Sequence, residues 1–104
     1  MKQTPTGIQS YTDFWPYYLA EHRNRTNKIL HVIGLCVGAV AATRLWSLLG
    51  AFGLIPSLMI SYSFAWTGHF VFEKNRPATW RYPVWSLVSE FRMVTGILIG
   101  KIKL

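Results

Sequence analysis

Acidic residues are scarce in this chain: Asp13, Glu21, Glu73 and Glu90 stand alone against eleven Lys and Arg, for a formal net charge of +7. That balance excludes an acidic surface and points to an anionic partner, either nucleic acid or lipid headgroups. The bases flank apolar runs and form no stripe along a polar helix face, so the expected partner is a membrane and not nucleic acid. Cysteine is reduced to Cys36, within the apolar stretch Val32 to Thr43, and no internal disulfide can form. The opening segment MKQTPTGIQSYTDFW lacks the apolar core of a signal peptide, which leaves the spans themselves as the targeting signal. There is no internal repeat, no low-complexity tract and no linker longer than Lys74 to Tyr82. Histidine is the other rarity, present only as His22, His31 and His69.

What is plentiful is apolar surface. At 51% hydrophobic residues, 104 residues are too apolar for an average soluble domain of this size. The expectation is one all-α domain over residues 1–104, an integral membrane bundle of about four helices around an antiparallel transmembrane hairpin. Leu45 to Gly68 runs 24 residues without an acid, a base or a histidine, enough to contain one membrane helix. Ile29 to Thr43, closed by Arg44 and continued by Leu45 to Leu49, reads as a second helix, and the bend falls near Gly50 to Gly53. Pro56 suits the first turn of the helix that follows. Outside the hairpin, Tyr11 to Arg23 reads as a short aromatic-rich interfacial helix capped by Ser10, Thr12 or Asp13. Pro83 to Leu104 reads as a last helix, interrupted by Glu90 and Arg92, whose composition fits either a span or a surface helix.

Loop charges set the orientation. Arg23, Arg25 and Lys28 precede the hairpin, Lys74, Arg76 and Arg81 follow it, and its tip offers only Arg44. By the positive-inside rule both open ends face the cytoplasm. An aromatic belt of Trp15, Tyr17, Tyr18, Trp66, Trp80, Tyr82 and Trp85 is expected on that side.

The same topology gathers the histidines. At ~1.5 Å per residue, His31 to Gly50 and Gly53 to His69 make antiparallel legs of about 28 Å and 24 Å, which brings the two imidazoles level. His22 ends the preceding helix on that side, and the turn-prone RNRTN folds the chain back between it and His31. Imidazole is the commonest protein metal ligand, so His22, His31 and His69 form a candidate metal site. Tyr62, Trp66, His69 and Glu73 share one helix face, as do Asn27, His31, Gly34 and Gly38. Glu73 is therefore expected as a fourth ligand or as a carboxylate orienting an imidazole. Gly34, Gly38 and Ala42 form a small-residue ridge for close helix approach. Each feature also has an ordinary reading, as a headgroup contact, a solvated charge or packing.

The strings EHRNRTNKILHVIG and GHFVFEKNRPA, with RYPVWSLVSEFRM further on, resemble the yeast-type 2-hydroxy fatty acid dioxygenase family of small integral membrane proteins, in its short bacterial form. The resemblance covers nearly the whole chain. Arg25 stands where the family often has proline, which touches the turn between the first two histidines and no ligand. The resemblance implies an iron(II)-dependent enzyme of the inner membrane that shortens a 2-hydroxy fatty acid by one carbon with molecular oxygen. It also implies metal-binding and catalytic roles for His22, His31, His69 and Glu73, with Asn27 and Asn75 as accompanying polar residues. Imidazole and carboxylate suit iron(II), and zinc would bind as readily. Arg23, Arg25, Arg76 or Arg81 could then hold the fatty acid carboxylate at headgroup level. Two other classes fit the residues: a lipid-binding or scaffold module gripping headgroups through its basic loops, and a small b-type cytochrome with haem between His31 and His69. Substrate chain length and oligomeric state are not legible.

Overall fold

The computed structural model describes residues 7–104, and over them the chain is helical without a strand. Residues 1–6 of the opening segment lie outside the described residues. Helix α1, Tyr11–Ala20, starts where Ser10 Oγ accepts a hydrogen bond from the Asp13 N–H at 3.2 Å, with Asp13 at the positive end of the helix dipole. It stops short of the expected Arg23. Asn24 then caps α2, Arg25–Leu49, through its Oδ1 on the Asn27 N–H at 3.2 Å. That cap starts the helix four residues before the apolar run at Ile29, because capping chemistry and not hydropathy sets a helix start.

A tight 3₁₀ turn, Gly50–Gly53, ends α2 where Gly50 adopts φ +61°, and α3, Leu54–Thr67, follows with Pro56 in its first turn. The helix then widens into a π-helical turn, Gly68–Glu73, which stops at Lys74 in the left-handed conformation. After a 3₁₀ turn at Ala78–Trp80, α4 covers Pro83–Leu98 and opens on its proline. It ends before the expected Leu104 because Gly100, at φ +82°, reverses the chain. The N–H groups of Lys101 and Ile102 then bond to Gly96 O at 2.8 and 3.0 Å.

α2 and α3 run antiparallel in close contact. Gly34 faces Ser61 and Phe64 while Gly38 faces Ser57 and Ser61, so each absent side chain is replaced by the neighbouring helix. At one end of the molecule α4 packs against α2 on one side and against α1 on the other, and α1 and α4 share a core centred on Phe14, which is fully buried. Tyr11, Tyr17, Tyr18, Tyr82 and Trp85 surround it with ring centroids 5.2 to 6.1 Å away. Tyr18, expected in an interfacial belt, is a core residue at 3% exposure. At the other end the α2–α3 pair stands alone, and Val40, Leu48, Phe52, Ile55 and Met59 are all more than half exposed. Within the helical stretch Arg25–Glu73 lies a segment long and apolar enough to cross a membrane, of which only 11% is buried in the protein. α4, at 16 residues, is shorter than the ~20 that a span requires.

Candidate metal centre

The buried end of the fold holds an unusual set of polar side chains. His22, His31 and His69 are 1 to 2% exposed, and one ring nitrogen from each lies within 4.8 Å of the other two. Each comes from a different place: the residue beyond the α1 C-cap, the second turn of α2, and the π-helical turn. The rings stand almost perpendicular in every pair, at 82°, 79° and 88°, with centroids 4.5 to 5.0 Å apart.

Their outward nitrogens fix the tautomers. His22 Nδ1 is 2.6 Å from Tyr18 O and His31 Nδ1 is 2.8 Å from Asn27 O. A carbonyl oxygen only accepts, so both Nδ1 atoms carry the proton. His69 Nδ1 donates in the same way to Asn75 Oδ1 at 2.7 Å. In neutral rings all three Nε2 atoms are then bare lone pairs, and those of His22 and His31 are only 3.2 Å apart. Burial first, and then the neighbouring imidazoles, hold His22 well below its ordinary value of 6.5, so it stays in the neutral, ligating form at pH 7. Three converging acceptors with no donor among them are a poor arrangement unless a cation stands between them. Two nitrogens each ~2.0–2.1 Å from one ion would be about 3.0–3.4 Å apart, which brackets the observed separation. The donor set thus fits a divalent metal, and three facing imidazoles leave the opposite side of the ion open.

Around this cluster the structure sorts the accompanying residues. Asn75 bridges outward, accepting from His69 and donating through Nδ2 to Glu21 O and Oε1 at 3.1 and 3.2 Å. Asn27 supplies the carbonyl for His31, and its Nδ2 donates to Glu73 Oε2 at 3.1 Å. Glu73, expected as a fourth ligand or as a carboxylate orienting an imidazole, is not among the groups that converge with the three imidazoles and bonds no ring directly; it reaches Asn27, whose carbonyl holds His31. Its Oε2 also accepts from the Asn24 N–H, so the carboxylate satisfies the start of α2, where free N–H groups and the positive dipole end draw an anion. Arg23, Arg25, Arg76 and Arg81 are all exposed, the last with its guanidinium 5.7 Å from the Tyr82 ring. The haem expectation meets no slot at the glycine ridge, since Phe64 and Ser61 already occupy the space beside Gly34.

The carboxylate that does reach the cluster is Glu90. It is 8% exposed, its Oε1 lies 3.7 Å from His31 Nε2, and the Tyr18 hydroxyl donates to that oxygen at 3.0 Å. Burial pushes its carboxyl up to about 8, against the pull of the Tyr18 hydrogen bond. Because a raised carboxyl pKa means that the folded protein holds a proton the unfolded chain would release, the metal-free protein loses stability as pH rises from about 4.5 toward 8. Glu90→Gln is therefore expected to raise the melting temperature of the metal-free protein at pH 7, with the gain vanishing near pH 4.5. An equal gain at both values would show that the carboxyl is not held neutral.

The family model described as 2-hydroxy-palmitic acid dioxygenase Mpo1-like matches residues 8–102. The chain belongs to this family. No curated protein and no solved structure matches it. The family's name carries dioxygenase chemistry on a 2-hydroxy fatty acid, and the three-histidine cluster can hold a metal.

Proposed function

We propose that this protein is an iron(II)-dependent dioxygenase that removes one carbon from a 2-hydroxy fatty acid at the cytoplasmic edge of a bacterial inner membrane. The observation that carries the reading is the set of three perpendicular imidazoles, each fixed by an Nδ1 hydrogen bond and each offering Nε2 to one point. Bound there, iron(II) would supply activation of molecular oxygen and a Lewis acid for the hydroxyl and carboxylate of the substrate. The overall reaction balances: C1 leaves as carbon dioxide, C2 is oxidised to the new carboxyl, and dioxygen is reduced by four electrons with release of one water.

The chain's own groups set the conditions. His22, His31 and His69 remain neutral ligands in a buried pocket, and Asn75, Tyr18 O and Asn27 O hold their orientation. Glu90 and Tyr18 form a protonatable pair beside His31. The exposed apolar sides of α2 and α3 form a transmembrane hairpin, with Arg23, Arg25, Arg76 and Arg81 at the headgroup level to draw in a fatty acid carboxylate before it reaches the histidine cluster. A membrane-bound preparation should contain stoichiometric iron and consume oxygen with 2-hydroxypalmitate while forming the fifteen-carbon acid. Stoichiometric zinc with no oxygen uptake after iron reconstitution would overturn the reaction.

A further inference from the structure

A cleft of about 150 Å³ lies between α2, α3 and α4, and its walls are almost wholly apolar: Leu35 and Ala42 from α2, Leu54 and Leu58 from α3, Leu87 and Phe91 from α4. Ser57, Ser61 and Tyr62 are polar members of the lining, and Glu90, the one ionisable carboxyl there, has its Oε1 3.7 Å from His31 Nε2. Through Glu90 the cleft adjoins the histidine cluster. It continues along the face of α2 on which His31, Leu35, Gly38 and Ala42 succeed one another at helical spacing. Its outer lip is open, since Ala39, Leu58 and Phe91 are exposed.

We infer that this cleft is the acyl-chain site, taking the tail of the 2-hydroxy acid from C3 onward and admitting it sideways from the lipid between α2, α3 and α4. The inference rests on the proposed reaction for its substrate and on the cleft for its geometry. Length supports it. His31 to Ala42 rises about 16 Å at ~1.5 Å per residue. An extended chain of tetrahedral atoms advances about 1.2 Å per bond, as the peptide backbone does, so about 13 bonds fit that distance. A sixteen-carbon acid has 14 bonds from C2 to its end. The enclosed volume is smaller than such a tail, so the chain lies half in protein and half against lipid, which the exposed lip permits. Ala42 then sets the outer limit. Gly38 is no clean test of the same kind, because a Cβ there would crowd Ser61 Cβ at 3.0 Å and Ser57 O at 3.2 Å and so disturb the α2–α3 contact as well as the cleft.

The experiment uses the full-length protein in detergent micelles without oxygen, and 2-hydroxy acids of eight and sixteen carbons carrying a terminal diazirine. After irradiation the labelled peptides are mapped by mass spectrometry. The sixteen-carbon probe should label Ala42, Leu54 or Leu58, and the eight-carbon probe Leu35, Tyr62 or Leu87. Ala42→Trp should cut sixteen-carbon labelling at least tenfold and leave eight-carbon labelling unchanged. Excess 2-hydroxypalmitate should suppress the label, and phosphatidylglycerol should not. Label on Trp15 or Ile99 across α4, an equal loss for both probes in a variant with native helicity, or displacement by phosphatidylglycerol would overturn the assignment. If Ala42→Trp fails to fold, the wild-type map decides alone. Cleft labelling without oxygen uptake would leave the acyl site standing and sink the reaction, and oxygen uptake with label elsewhere would do the reverse.

Discussion

His69→Ala is expected to empty the metal centre. Of the three ligands, His69 is the one whose Nδ1 is held by a side chain, Asn75 Oδ1, and that side chain in turn is tied to Glu21. Removing the ring leaves two imidazoles, 3.2 Å apart at Nε2, too few to retain an ion against a chelator. Asn75→Ala keeps all three rings and loses only the orienting bond, so its cost should be the roughly 10–100-fold in metal affinity typical of such supporting contacts. Glu73→Gln, in contrast, alters a group bound to the start of α2 and should leave metal content at the wild-type level. Metal analysis after dialysis against graded chelator ranks the three. Full occupancy in His69→Ala, with helicity unchanged, would remove the site from these histidines.

Gly68→Ala should damage both stability and metal binding. A Cβ at Gly68 would collide with the Asn27 carboxamide, which would have to rotate out of its bond to Glu73, and it would also come within 3.2 Å of Asn27 Cα, which rotation does not move. The loss of the carboxamide position and a backbone shift of a few tenths of an ångström together should cost the ~1–3 kcal/mol usual for overpacking. Asn27 is fully buried, and its carbonyl holds His31, so the displacement reaches the centre directly. Thermal unfolding in detergent should show a lowered midpoint, and chelator titration a weakened metal. A variant as stable and as tightly loaded as the parent would mean that the two segments are not in close register.

The histidine cluster is legible because it depends on helical rise and on a turn between matched legs; Gly50–Gly53 marks that turn, whereas of RNRTN only Arg23 and Asn24 lie in the connection and Arg25 to Asn27 already belong to α2. The role of Glu73 is not. Its spacing from His69 assumes a regular α-helix, whereas Gly68–Glu73 is a π-helical turn, a local widening that the letters GHFVFE do not announce. Nor does the spacing reveal that the start of α2 competes for the carboxylate. In the sequence Glu90 stands out only as an interruption in an apolar helix. Its contact with His31 joins α4 to α2 across the fold, and no periodicity within either segment encodes such a pairing. The start of α2 at Arg25 was visible in Asn24 as a cap, but hydropathy drew the boundary later.

The three rings are not anchored alike. His22 and His31 donate to carbonyls four residues back, Tyr18 O and Asn27 O, so their tautomers are settled by the local chain as soon as α1 and α2 form. His69 depends instead on Asn75, beyond the reversal at Lys74, and on Glu21 behind it. Two ligands are thus oriented within their own stretch of chain, while the third depends on the segment after the π-helical turn lying against the end of α1. Any change that loosens the reversal at Lys74 to Asn75 therefore acts on His69 and leaves the other two rings held.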